Sequence, residues 1–283
     1  MSRLVFHVGL QKTGTTFIQR QVLAHWQGIT YLPGDNLEYL LRAPDSGTSV
    51  ISREGLSGRN WDPIEVRELS LLRLAKFFPD ADIAISFRRH SDYIVSSYNQ
   101  YIQRGGSLSF AEFFDPVHDR GLMKKKDFFY RPRITTLERA FGRHPFVFRF
   151  EEIREALPTL LADLESFIGG KAPSREKVLA SRNRKDRNPS VGYYPLQLLR
   201  FLNRYSASEL NPSGRLLLNH YRIKRLGLAP RTICKYWLAF LPNRELISPS
   251  LKSDIDALYA EDWAAILTAA ADRRMSAGRP TTA

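Results

Sequence analysis

Apolar positions gather at the start of the chain, where Arg3-Leu4-Val5-Phe6-His7-Val8-Gly9 forms a short, mostly apolar run that stops at glycine. The pattern then changes at once. A polar stretch from Gln11 to Thr16 gives way to Phe17 through Leu23, whose apolar spacing is helical, so a strand, a loop and a helix are predicted in that order. Thr48 to Ser52 reads as a second buried strand, Asp82 to Phe87 as a third and Phe146 to Phe150 as a fourth. Between the second and third, Asp62-Pro63-Ile64-Glu65 has the form of a helix start, with Asp62 as N-cap and Pro63 at the first helical position, ahead of Leu69, Leu72 and Leu74. Ser91 precedes a helical stretch through Gln103, and Ser109 with Glu112 repeats the capping-box pattern.

Strands that alternate with helices of this length need crossover connections, which makes neighbouring strands parallel. The fold class expected is α/β, a mainly parallel sheet with helices on both faces. Ligands in such sheets bind at the carboxyl ends of the strands. Beyond about residue 155 helical patterning dominates, broken by the polar stretch from Ser181 to Ser190. The expected organisation is a single domain over 1–273, made of an α/β nucleotide-binding core to about 170 and a basic loop with a helical region over 171–273; 274–283 reads as a disordered tail.

Composition narrows the partners. Of 283 residues, 43% are hydrophobic, enough for one substantial core, yet no window approaches about 18 consecutive apolar residues. Neither a membrane span nor a signal peptide is read, and with Cys234 the sole cysteine a reducing, cytoplasmic setting fits. The net charge of +13 favours an anionic ligand: a nucleotide, a nucleic acid, an acidic glycan or an anionic membrane surface. Nucleic-acid binding is the runner-up function, but no recognition-helix, zinc-finger or RNA-binding pattern is visible, and a nucleic-acid partner is not expected.

Gly9-Leu10-Gln11-Lys12-Thr13-Gly14-Thr15-Thr16 sits where the first strand yields to a helix, so backbone N–H groups, the Lys12 ammonium and three threonine hydroxyls can face an anion. The nucleotide-triphosphate loop has the order GxxxxGK[ST], whereas Lys12 here precedes Gly14. That order disfavours an ordinary ATPase or kinase. The segment resembles instead the phosphosulfate loop of sulfotransferases that use 3′-phosphoadenosine 5′-phosphosulfate (PAPS), and Lys12-Thr13-Gly14-Thr15-Thr16 matches its K-[ST]-G-[ST]-[ST] pattern in full. The resemblance implies that Lys12 contacts the bridging oxygen and leaving phosphate, that the loop amides with Thr15 and Thr16 hold the 5′-phosphate, and that Phe17 lies near the adenine.

The family's second signature is a strand ending in arginine with a serine on the next helix, the two binding the 3′-phosphate. Arg88 ends the third strand and Ser96 follows eight residues later. Physically, a guanidinium can donate two parallel hydrogen bonds to phosphate and a serine hydroxyl another. Two further matches are less specific: Phe148-Arg149-Phe150-Glu151 leading to Leu157–Gly169, with a structural role in the family, and the Arg/Asn cluster ending Arg187-Asn188, where relatives carry a loop that closes over the nucleotide. Arg187 is either that nucleotide contact or part of a solvated charge run.

Sulfuryl transfer needs an in-line acceptor, neutralised charge on the leaving phosphate and a base for the acceptor proton. Lys12 suits the second need, and no metal is required. Glu54, just past the end of the second strand in a segment similar to the S-x-E stretch of bacterial relatives, is the candidate base; the alternative is a surface pair with Arg53. His7 inside the first strand reads as a core or edge residue, and His90 as a nucleotide contact or a helix start. A kinase-like reading would require a strand ending in aspartate for magnesium, but the third strand ends Ser86-Phe87-Arg88-Arg89. The resemblance points to a hydroxyl or amine acceptor, with carbohydrate or glycolipid preferred. The basic, aromatic segments Arg215–Arg225 and Arg231–Phe240 read as an acceptor lid, as a peripheral contact with an anionic membrane, or as plain helices packed on the core.

Overall fold

A computed structural model describes residues 3–33, 46–59, 62–180, 191–211, 230–238, 240–242 and 244–276. Five strands form an all-parallel sheet: β1 (Arg3–His7), β2 (Thr30–Leu32), β3 (Thr48–Ser52), β4 (Asp82–Phe87) and β5 (Phe146–Arg149), in the order β2-β3-β1-β4-β5. The α/β reading is borne out. β2, three residues long and half-exposed, is an addition to the four strands expected from the sequence. β5 ends at Arg149, though the N–H of Phe150 still donates to the Phe87 carbonyl at 2.7 Å.

A sheet covered on both faces needs apolar side chains at nearly every strand position. Val5, Val50, Ala84, Phe146 and Phe148 point to one face, where they pack with Ile18, Val22, Leu23 and Trp26 and with Leu157, Leu160, Leu161 and Leu164 of the helix Leu157–Ile168. Alternate residues serve the other face: the Phe6 ring lies 5.2 Å from that of Phe78, and Phe87 lies 4.6 Å from Tyr130. Each fully buried side chain of this kind contributes about 1.5–3 kcal/mol.

One local expectation is corrected. The helix Ile64–Phe77 starts with Pro63 as an extended flanking residue, and no side chain of its own segment caps it. The Asp62 carboxylate instead accepts from the Arg59 N–H at 2.8 Å, closing the preceding turn, while Asp127 reaches in to accept from the Ile64 N–H at 2.9 Å. The segment after the loop is a single helical turn, Thr15–Phe17, that widens into a π-turn, Ile18–Val22, and tightens again over Leu23–His25.

The chain divides into two compact units, Met1–His90 with Lys126–Arg184 and Tyr259–Ala283, and Ser91–Lys125 with Lys185–Leu258. The sheet belongs to the first. Its final helix, Ala260–Ser276, lies against β5 and is locked by Arg273, whose guanidinium pairs with Glu152 at 2.5 Å and Asp163 at 2.8 Å and donates to the Val147 carbonyl at 3.2 Å. In the second unit, Tyr98, Tyr101 and Phe113 form an aromatic cluster, and Asn203 donates to the carbonyls of Ile102 and Gly106 at 2.7 and 2.8 Å. The Ser109 capping box forms with both of its reciprocal bonds. Residues 181–190, the Arg215–Arg225 stretch and 277–283 lie outside the described residues.

Candidate functional site

β1 stands at the point where the chain reverses its direction of travel across the sheet: β2 and β3 lie to one side, β4 and β5 to the other. In parallel sheets the crevice outside such a strand is where ligands bind. The loop after β1 and the residue after β4 border it. Gly14 takes φ +90°, a left-handed conformation open to glycine, and a Cβ there would come 2.5 Å from Ile153 Cδ1 and 3.0 Å from the Phe150 ring. Lys12 also takes positive φ, +71°. Successive reversals of this kind turn backbone amides toward one side, and the first amides of the turn after Gly14 have no acceptor within the helix.

Arg88 comes to this loop from the end of β4. Its Nη1 lies 3.4 Å from the Lys12 carbonyl, and its guanidinium stacks over Phe150 with 4.7 Å to the ring centroid. Arg154 approaches the same ring at 5.2 Å. Arg88 and Arg154 thus gather positive charge at Phe150, beside the loop that carries Lys12 and Gly14, a setting that favours a multiply charged anion. The Arg88 backbone is held from behind, where the Tyr130 hydroxyl donates to its carbonyl at 2.8 Å. Tyr130 in turn stacks on His90 at 4.2 Å, and His90 Nε2 lies 3.0 Å from Asp262. Asp262 also accepts from the N–H groups of Tyr130 and Arg131, at 2.8 and 2.9 Å. Of the two readings of His90, the structure therefore gives the helix start: it is buried in this network.

Glu54 opens a short 3-10 turn, Glu54–Ser57, directly after β3 and is half-buried. That turn is tied to the end of β1, since the Arg53 N–H donates to the His7 carbonyl at 3.1 Å and the Ser57 hydroxyl reaches the Gly9 carbonyl at 3.4 Å. The structure thus brings Lys12, Gly14, Arg88 and the turn carrying Glu54 to one edge of the sheet.

The threonines divide in a way that sequence spacing does not show. The Thr13 hydroxyl is fully buried, donating to the Leu10 carbonyl at 2.6 Å and meeting Ser86 Oγ at 2.7 Å. Thr15 is buried as well, with its hydroxyl 3.4 Å from the same carbonyl. Both hydroxyls therefore shape the loop from beneath; Thr16 is half-buried. Phe17 packs against the core beside the sheet. Ser96 is half-buried on the helix His90–Gln103, within the second unit, and Arg187 lies outside the described residues.

Phe150, Arg154, Tyr130 and Ser86 are additions to the residues expected from sequence. Phe150 stood in a segment read as structural, and Ser86 carried a signal as a polar residue breaking an apolar strand at its carboxyl end. It lies two residues past Ala84, the β4 partner of His7, while His7 itself pairs with Ser52 on β3; His7 Nδ1 meets Ser52 Oγ at 2.8 Å and Nε2 has no hydrogen-bond partner. Burial pushes the His7 imidazole down to about 4. Unfolded, the group titrates near 6.5, so between these values the unfolded chain takes up a proton that the folded chain refuses, and stability falls as pH drops from about 6.5 to about 4. His7→Asn, which keeps an amide facing Ser52, should flatten that acid slope by about 2–3 kcal/mol in denaturant titrations across this range. Unaltered slopes would assign the acid sensitivity to other groups.

No family model matches the chain, and no curated protein sequence matches it. Solved structures do. Two solved sulfotransferases are among the structures that align with the chain. A sulfotransferase from Alicyclobacillus acidocaldarius aligns over 72% of this chain and 96% of its own, with 18% identity and a TM-score of 0.47. Mouse sulfotransferase SULT7A1, solved with PAP, aligns over 95% of this chain and 89% of its own, with 16% identity and a TM-score of 0.44.

Proposed function

We propose that this chain transfers a sulfuryl group from PAPS to a hydroxyl or amine acceptor and releases 3′,5′-adenosine bisphosphate (PAP). The observation that carries the reading is the meeting of Arg88 with the Lys12 loop at 3.4 Å, at the carboxyl edge of adjoining strands β1 and β4. A strand-end guanidinium beside a phosphate loop suits a nucleotide with phosphates at both ends, because each cationic group has its own anion to neutralise. In this reading the amides around Gly14, Thr15 and Thr16 hold the 5′-phosphate, with Thr13 and Phe17 supporting the loop. Arg88 binds the 3′-phosphate, joined by Ser96 from the signature spacing and by Arg187 from the basic stretch. The donor supplies the activated sulfuryl group, and the protein supplies position and charge. Lys12 stabilises the bridging oxygen as it takes the electron pair of the breaking S–O bond, while Glu54 accepts the proton of the attacking acceptor. The scheme uses no metal.

A carbohydrate or glycolipid acceptor and a cytoplasmic setting are part of the same proposal. They are supported by the Glu54 segment's likeness to glycan-modifying bacterial sequences and by the lone cysteine. Among the described residues no helix is long and apolar enough to cross a membrane.

Calorimetric titration of the purified chain with PAP, 5′-AMP and ATP tests the donor site. Clear preference for PAP is expected, and equal or absent binding of all three would overturn the reading. Glu54→Gln tests the base: turnover should fall by about 10²–10⁴ while PAP affinity holds, since the carboxylate acts on the acceptor. Near-normal turnover would remove Glu54 from that role.

A further inference from the structure

The second unit carries a surface that the proposed reaction does not use. Along the helix Tyr193–Asn203 and its next turn, Tyr194, Leu198, Phe201 and Tyr205 recur at helical spacing, each between 43% and 52% exposed. The opposite side of the helix is the buried one, through Leu196, Leu199 and Asn203. Two of its aromatic rings touch along the helix, Phe201 and Tyr205, at 5.4 Å between centroids. The turn Ile233–Trp237 packs beside the helix, and its Tyr236 is exposed as well. An apolar row of this length standing in water marks an interaction surface rather than a scatter of single residues.

Its charges indicate the partner. One flank of the row carries Arg200 and Arg204, and Arg244 sits over the Tyr193 ring on that flank at 5.7 Å. Glu112 is a carboxylate that faces Arg200 and Arg204, one negative charge beside the two guanidiniums. A second copy of a chain with net charge +13 would bring more of the same sign to the contact, whereas anionic headgroups would neutralise it. Tyrosine rings suit the headgroup level, where one end is apolar and the other wet, and an amphipathic helix with a cationic flank lies flat at that depth.

We infer that the Tyr194–Leu198–Phe201–Tyr205 face docks the protein on an anionic lipid surface. The inference is independent of the chemistry assigned to the first unit. The test is sedimentation of the full chain with vesicles of phosphatidylcholine alone and of phosphatidylcholine mixed with phosphatidylserine, at low and at moderate salt. Binding is expected to the mixed vesicles only and to weaken with salt. Because the whole chain is basic, the deciding variant is Leu198→Ser/Phe201→Ser, which keeps every charge. It should lower the partition into mixed vesicles about tenfold or more. Its thermal midpoint should match the parent's, because both side chains stand substantially in water before substitution. Arg204→Glu/Arg244→Glu should lower partition as well. Undiminished binding of the apolar double variant would show attraction by diffuse charge and overturn the inference. So would a concentration-dependent dimer in sedimentation velocity that this variant abolishes without altering vesicle binding.

Discussion

Lys12→Ala should lower turnover by about 10²–10³ while PAP still binds, because removing one group that stabilises developing charge costs about 3–4 kcal/mol at the transition state. The substitution isolates the ammonium. Lys12 holds its place in the loop through its backbone, whose carbonyl accepts from Arg88, and through a positive φ that alanine shares with lysine as an L-residue. Gly14, Thr13 and Thr15 continue to shape the turn, since their contacts to Ile153, Phe150, Leu10 and Ser86 do not involve the lysine side chain. A loss in kcat with little change in PAP affinity marks an interaction made in the transition state. Single-turnover kinetics beside calorimetry would show it. Equal losses in affinity and rate would make Lys12 a ground-state phosphate anchor, and unchanged turnover would remove it from catalysis.

The second large effect concerns discrimination between nucleotides. Arg88→Ala should weaken PAP by about 10²–10³, the scale expected when one partner of a desolvated, hydrogen-bonded charge pair is removed, and should leave 5′-AMP affinity nearly unaltered. The ratio of the two affinities is the informative quantity. Arg88 also touches the Lys12 carbonyl and stacks on Phe150, so its removal could loosen the loop as a whole. Loosening would weaken both nucleotides together, whereas loss of a 3′-phosphate contact weakens PAP alone. Parallel losses would therefore recast Arg88 as a brace for the loop. Tyr130 keeps the backbone of residue 88 fixed in the variant, because its hydroxyl donates to the main-chain carbonyl.

The candidate site was legible in sequence where its parts are local. A strand that stops at Gly9, a glycine at the position that needs positive φ and a lysine between them lie within a few residues, and their chemistry follows from the residue types. Arg88 was legible for a similar reason, since a charged residue that ends an apolar strand lies at the sheet edge where ligands bind. The threonines were less so. Residue type makes Thr13 a donor, but its direction depends on Ser86, far along the chain and adjacent only once β1 and β4 pair. Phe150 beneath Arg88, Tyr130 behind it and Asp127 at the start of the helix Ile64–Phe77 have the same origin.

The sequence by itself determined the alternation of strand and helix, the lysine- and threonine-bearing loop after β1 and the cationic strand end at Arg88, because apolar periodicity and turn chemistry act over a few residues. The tertiary structure decided the strand order that puts β1 at the reversal point, the inward turn of the Thr13 and Thr15 hydroxyls and the separation into two units. It also decided which side of the helix Tyr193–Asn203 remains in water. Those outcomes depend on contacts between residues distant in the chain, whose free energies exist only after loop closure has brought them together.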